Sequence, residues 1–258
     1  MKRIVIAIGG NYPDQHKKSV YLNSIEKIFT EMGKMIAEND VVITYSGSCN
    51  ENKPSPTAIM NSYDHVKYTY GYSKDIISLL TRIEVKSYHD SWNDSATKDK
   101  LINGNTQEEE LGNLKIEKCL EPLDIPEKSA IMTLLSDGYL PLVIGAGFPV
   151  IKELQYYKEC RGIVNNYSSS SLLGTLIEAD EFIIISECSS YSGSISVTDS
   201  DCLKSIRFHN LMAMYKNGRF TESEMDSKIK PMLDFISKGG KKAILMTLNM
   251  NTEIVVTL

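Results

Sequence analysis

The chain has little of what would send it to a membrane, to nucleic acid or to an oxidising compartment. No apolar run approaches the roughly 18 residues that a membrane-crossing helix needs. Only Ile4-Val5-Ile6-Ala7-Ile8 follow the basic N-terminus before the glycines, too few for a secretory signal. No basic stripe or basic amphipathic helix stands out in a chain of net charge −5. Neither nucleic acid nor a membrane surface is therefore expected as a partner. The cysteines, Cys49, Cys119, Cys160, Cys188 and Cys202, are odd in number, widely spaced and without a CxxC pair. They read as reduced thiols of a cytoplasmic protein. The histidines His16, His65, His89 and His209 lack metal-ligand spacing, and no metal site is expected. There is no GxxxxGKS/T phosphate loop and no Gly-x-Ser-x-Gly elbow. Gly145-Ala146-Gly147 lacks the third glycine of a dinucleotide fingerprint. What remains is an ordinary globular composition, 42% hydrophobic and 24% charged over 258 residues, enough for one sizeable core.

The organising stretch is Met1 to Asn11, MKRIVIAIGGN. Its unbroken apolar run reads as a strand buried on both faces, the first of an α/β sheet. Gly9-Gly10 lets the backbone turn sharply, and a helical pattern follows. A strand, a glycine turn and a helix start gather free N–H groups around one point, which suits an anion such as phosphate. The same sequence also describes a tight turn with no ligand.

Apolar residues at three- and four-residue steps from Tyr21 to Ile36 predict an amphipathic helix over 19–38. Asp40 to Thr44 reads as a second buried strand, followed by the polar loop Tyr45-Ser46-Gly47-Ser48-Cys49-Asn50 at its carboxyl end, where open α/β sheets bind ligands. Residues 50–72 read as loop plus a broken helix, Ser73–Leu80 as helix and Arg82–Tyr88 as strand. From His89 to Leu120 the composition turns polar, a solvated excursion or small lobe that Trp92 anchors. A helix is expected over Ile125–Ser136, and a third buried strand over Leu140–Ile144 before the glycine loop 145–150. Ser168–Ser171 reads as a capping tract leading into a helix over Leu172–Glu178, and Glu181–Ser186 as a fourth strand. Ser189–Asp201 reads as a loop, and Ile206–Tyr215 and Ser227–Lys238 as helices. Lys242–Thr247 and Glu253–Leu258 are expected to pair as strands. The whole predicts a three-layer αβα sandwich around a mostly parallel sheet, one domain over 1–258 with a reduced surface lobe at about 89–120.

In this order the pieces resemble a carbamate kinase of the amino acid kinase family, most closely over 3–48 and 123–245. RIVIAIGGN resembles the family's opening strand and glycine loop. DVVITYSGS stands where the family has a strand followed by His-Gly-Asn-Gly. DGYLPLVIGAGFPV resembles its third strand and the loop ending in Ile-Pro-Val, and IEADEFIIIS the segment before its Thr-Asp nucleotide loop. Gly218-Arg219-Phe220, then Met225, Lys228 and Ile229, follow its Gly-x-Phe … Gly-Ser-Met-x-Pro-Lys-Val motif.

The resemblance implies phosphoryl transfer between Mg-ATP and carbamate, with carbamoyl phosphate and ADP on the other side. It also implies a homodimer. Such transfer is a matter of positioning and charge neutralisation. Carried onto this chain, Gly9, Gly10 and Asn11 would cradle the transferred group, with Gly47, Ser48, Gly145 and Gly147 lining the pocket. Ser186, Glu187, Met225 and Lys228 would meet the nucleotide, Lys228 reaching the phosphates. The departures fall at the chemistry. Tyr45 replaces the loop's imidazole. Asn165, Asn166 and Tyr167 stand where the family has Asp-Lys-Asp. Glu187 replaces an aspartate, Phe148 enters a shortened loop, and Ser223-Glu224 replaces Gly-Ser. Two expectations follow. Either the ATP site is eroded and the chain keeps an anion pocket for phosphate or carbamoyl phosphate with a degenerate or altered function, or it is a divergent active kinase.

Overall fold

The computed structural model describes residues 1–9, 15–45, 87–89, 97–100, 110–111, 114–115, 119–125, 128–144, 149–153, 156–159, 163–186, 205–220, 225–249 and 252–258. The apolar run after the N-terminus is β1 (Arg3–Ile8), which lies inside an eight-stranded sheet. The other strands are β2 (Asp40–Tyr45), β3 (Ser87–His89), β4 (Leu140–Ile144), β5 (Glu181–Ser186), β6 (Ile206–Arg207), β7 (Lys242–Thr247) and β8 (Thr252–Thr257). Their order is β6-β8-β7-β5-β1-β2-β4-β3. Every pair is parallel except β7 with β8, which run antiparallel with an irregularity at Leu245/Met246.

The helices are α1 (Gln15–Glu38), α2 (Lys128–Ser136), α3 (Asn166–Leu176), α4 (Phe208–Lys216) and α5 (Asp226–Ser237). Strand side chains alternate between the two faces, and on β1 both sets are apolar. Ile4, Ile6 and Ile8 pack with Ile25, Ile28 and Phe29 of α1. Val5 and Ala7 join the opposite cluster, with Leu173 of α3, Leu211 of α4 and Met232 and Phe235 of α5. The result is the expected sandwich of helix, sheet and helix. Each fully buried Ile, Leu or Phe contributes on the order of 1.5–3 kcal/mol, so this double burial makes β1 the axis of the core.

Several boundaries differ from the sequence expectation. The helix α3 begins at Asn166, inside the serine tract that the sequence suggests as a cap for a helix from Leu172. Ser169, Ser170 and Ser171 are buried; the Ser170 hydroxyl donates to the Asn166 carbonyl and that of Ser171 to the Pro231 carbonyl, and such small side chains let the helix lie close to its neighbours. Ile206–Arg207 is a short strand ahead of α4, and α2 starts at Lys128. A second, five-stranded sheet runs in the order Tyr156–Glu159, Pro149–Glu153, Thr97–Lys100, Cys119–Pro122, Ile163–Val164. The polar stretch therefore supplies strands, and their partners come from beyond β4. The expected helix at 73–80, the glycine loop at 145–148 and the loop at 189–201 lie outside the described residues. Among the described residues no helix is long and apolar enough to cross a membrane.

At the amino ends of the central strands one carboxylate joins three segments. Asp180 Oδ2 accepts from the Arg3 N–H at 2.9 Å, and its Oδ1 meets Lys241 Nζ at 2.5 Å. The Asp180 N–H donates to the Arg3 carbonyl at 2.7 Å, and the Asp180 carbonyl accepts from Lys241 and Lys242 at 3.0 and 3.2 Å. The Lys241 hydrogen bond first, then that from Arg3, holds the Asp180 carboxyl below its ordinary range. Because folding lowers this pKa, the stabilisation is present above the unfolded value of about 3.9 and is lost as pH falls through the folded value. Asp180→Ala should therefore cost about 1–2 kcal/mol at pH 7, since the carboxylate is partly solvated. In urea denaturation the gap to wild type should shrink steadily once the pH drops below about 4.

Candidate functional site

The carboxyl ends of β1, β2 and β5 come together where α3 begins, the position at which open α/β sheets bind ligands. Gly9 follows β1 directly. Its N–H donates to the Ile185 carbonyl at 2.9 Å, extending the β1–β5 ladder by one residue. Its lack of a side chain serves a different contact. A Cβ on Gly9 would stand 1.8 Å from the Tyr167 Oη and 2.3 Å from its Cζ, so the phenol lies directly against the glycine. Only glycine fits beneath that ring. Tyr167 itself is 9% exposed and belongs to the core cluster on the α3 face.

The first turn of α3 is satisfied from within. Asn165 is the N-cap, with extended backbone (φ −69°, ψ 125°). Its Oδ1 accepts from the N–H groups of Tyr167 at 2.8 Å and Ser168 at 3.1 Å. Its carbonyl accepts from the Ser169 N–H at 3.0 Å. Asn166 is buried, and its Nδ2 donates to the Ile8 carbonyl at 3.3 Å. Ser170 Oγ donates to the Asn166 carbonyl at 2.7 Å and shares a 2.6 Å hydrogen bond with the Thr44 hydroxyl, which also lies 3.4 Å from the Ile6 carbonyl. A line of neutral polar groups thus runs from β2 through α3 to the end of β1. Leaving one such buried group unpaired would cost about 1–3 kcal/mol, which makes the set interdependent.

Beside α3 lies α5, and two contacts give its direction. Ser171 Oγ donates to the Pro231 carbonyl at 2.8 Å, and a Cβ on Gly174 would stand 3.1 Å from the Phe235 ring. Partners advance together along both helices, so the helices run parallel with their first turns side by side. Lys228 sits in the first turn of α5 and is only 4% exposed. Met225, just before the helix, is a buried core residue whose carbonyl accepts from Lys228 and Ile229 at 3.1 and 2.8 Å. The Tyr215 hydroxyl of α4 hydrogen-bonds Asp226, the first residue of α5. Burial first, then this bond, pushes the Tyr215 phenol up to about 12. It stays protonated at any working pH and joins the two helices. Ser186 ends β5 buried, its carbonyl taking the Leu248 N–H at 3.1 Å.

Gly9, Asn165, Asn166, Tyr167 and Ser186 thus meet at the strand ends, with Lys228 on the adjoining helix. Tyr45 pairs in register with Ile8 but is fully buried in the apolar cluster on the α1 side, the face opposite α3. Gly10, Asn11, Gly47, Ser48, Gly145, Gly147 and Glu187 lie outside the described residues. Sequence reasoning overlooked Thr44 and Ser170. A hydroxyl at the end of an otherwise apolar strand was the available signal for the first.

Comparison with known proteins gives a consistent likeness. Residues 2–247 match the model of the amino acid kinase family. A carbamate kinase of Thermoplasma volcanium is 25% identical, the match covering 96% of this chain and 94% of that protein. A carbamate kinase 2 of Staphylococcus epidermidis is 22% identical at the same coverage. Among solved structures, a Giardia carbamate kinase superposes with a TM-score of 0.73 at 17% identity, covering 99% of this chain and 98% of the other. A structure of the Giardia lamblia carbamate kinase bound to AMP-PNP gives 0.71 at 16% identity over the same shares. At these identities the structural likeness speaks for the fold.

The cap geometry makes one expectation quantitative. Asn165→Ala should lower stability by about 1 kcal/mol, while Asn165→Asp, which keeps an acceptor oxygen, should lose at most a few tenths. Urea midpoints with unchanged slopes would check both values.

Proposed function

From the premise that this chain belongs to the amino acid kinase family, we propose that it is a carbamate kinase-like protein that has lost phosphoryl transfer and keeps a small-anion pocket beyond β1. The observation that carries the reading is the fate of Asn165, Asn166 and Tyr167. Where the resemblance puts acid, lysine and acid, this chain has two amides and a phenol, each held by the fold. Asn165 caps α3, Asn166 donates to the Ile8 carbonyl, and Tyr167 rests on Gly9. A phosphoryl group in transit needs concentrated positive charge around its oxygens. An amide offers a dipole in place of an ammonium, and losing one such donor typically costs about 10²–10³ in rate. These residues do not fit a phosphoryl group being transferred. The pocket would take phosphate or carbamoyl phosphate, with Gly10, Asn11, Gly47, Ser48, Gly145 and Gly147 as its lining.

A second reading has its own support. Lys228 is retained and buried in the first turn of α5, where an ammonium and the helix N-terminus both favour phosphate. If it still meets a nucleotide, with Ser186, Glu187 and Met225 beside it, the protein is an active kinase. It would then transfer phosphoryl between Mg-ATP and carbamate or another small carboxylate. Both readings take the chain as one domain over 1–258 with a short lobe at about 89–120, acting as a cytoplasmic homodimer.

The readings separate in two measurements. Protein mixed with carbamoyl phosphate and Mg-ADP should form no ATP above the uncatalysed background, and calorimetric titration with Mg-ADP should show no micromolar binding. ATP formation, or micromolar Mg-ADP binding, would overturn the first reading in favour of the kinase.

A further inference from the structure

The contact between Tyr167 and Gly9 bears on what the pocket accepts. A glycine at the end of a central strand leaves its Cα open, and that opening lets an anion come close to the backbone. Here the opening is taken. The Oη, Cζ and Cε1 atoms of Tyr167 are the nearest to the position of a Gly9 Cβ, at 1.8, 2.3 and 2.6 Å. Among the described residues, several donors around the opening are engaged as well. The Gly9 N–H goes to the Ile185 carbonyl, the Asn166 amide to the Ile8 carbonyl, and the Tyr167 and Ser168 N–H groups to Asn165. A phosphate arriving at this corner meets a ring edge and a set of occupied donors.

The ring is held there firmly. Tyr167 lies in the first turn of a helix fixed by its cap, by the Thr44–Ser170–Asn166 line and by the Ser171–Pro231 bond. A bond rotation in the side chain must therefore clear the opening, since the helix itself cannot withdraw cheaply.

We propose that Tyr167 is the specificity-determining residue of the pocket: its phenol occupies the place beside Gly9 that a phosphate would take, and phosphate binds only when the ring is displaced. The proposal rests on the small-anion pocket inferred above. An anion that must wait for a minor, open arrangement binds with an affinity reduced by the fraction of open molecules. Removing the end of the ring removes that penalty.

The test is calorimetric titration with inorganic phosphate on three forms of the full chain. Tyr167→Leu keeps an apolar side chain in the core but ends short of the three atoms that meet Gly9, and it should bind phosphate at least tenfold more tightly than wild type. Tyr167→Phe removes the hydroxyl and keeps the ring carbons against Gly9, so it should stay near the wild-type value. Equal affinity in the wild type and Tyr167→Leu, or no binding by either, would overturn the proposal, as would an equal gain in Tyr167→Phe. A second measurement uses Gly9→Ala. It should lower the melting temperature in the wild-type background and leave it nearly unchanged alongside Tyr167→Leu, and a loss of the same size in both backgrounds would show that the ring does not cover Gly9. ATP formation from carbamoyl phosphate and Mg-ADP, assayed on the same wild-type sample, reports separately on the loss of phosphoryl transfer.

Discussion

Backbone polar groups at the end of a buried strand must find partners, and at the carboxyl end of β1 this single requirement shapes the site. Every N–H and C=O taken from water needs a hydrogen bond or costs free energy on the scale of one lost bond. A ligand can supply such partners in a binding pocket. Here the fold supplies them: the Ile8 carbonyl accepts from the Asn166 amide and the Gly9 N–H donates to the Ile185 carbonyl. The Asn166 bond ties the start of α3 to the end of β1, where Tyr167 lies against Gly9 and Ser170 meets Thr44. The chemistry proposed for the pocket follows from this closure.

The two ends of the sheet are stabilised in different ways. The amino end uses charge: Asp180 with Lys241, Lys2 with Glu181 at 2.6 Å, and Arg3 with Asp40 at 3.6 Å. Those groups are partly solvated, so salt screens them and their individual worth is modest. At the carboxyl end the polar line across β1, β2 and α3 is neutral and buried, and ionic strength leaves it largely untouched. Lys228, on α5, is the buried cation of that end among the described residues.

The frame of this molecule was readable because its central strands are apolar on both faces. Runs such as IVIAI, DVVIT and EFIII have no other stable home than the middle of a covered sheet. The periodicity of α1 and the pairing of the last two strands were equally plain. The start of α3 was not. The serine tract reads as a cap, yet Ser170 and Ser171 lie inside the helix, donate their hydroxyls to main-chain carbonyls and become core material. The second sheet was hidden for another reason. Its strands are short and polar, and their partners come from distant parts of the chain, which no local pattern records. At the site, the resemblance marked residues 165–167 as altered. What they do instead could not be read from sequence, since capping, bonding to Ile8 and covering Gly9 depend on where α3 meets the sheet.

The order of strands also has a consequence in time. Between β2 and β5, β1 is paired on both edges, yet its β5 partner lies far along the chain, with Arg3 and Asp180 separated by 177 positions. At a synthesis rate of about 5–20 residues per second, this apolar strand leaves the ribosome roughly 9–36 seconds before the strand that covers its second edge. An exposed edge of this kind recruits other strands, including those of neighbouring nascent chains. The helix α1 and strand β2, which follow immediately, can shelter one face and one edge in that interval. The other edge stays open until Glu181–Ser186 emerges, so the central strand is made long before it is closed.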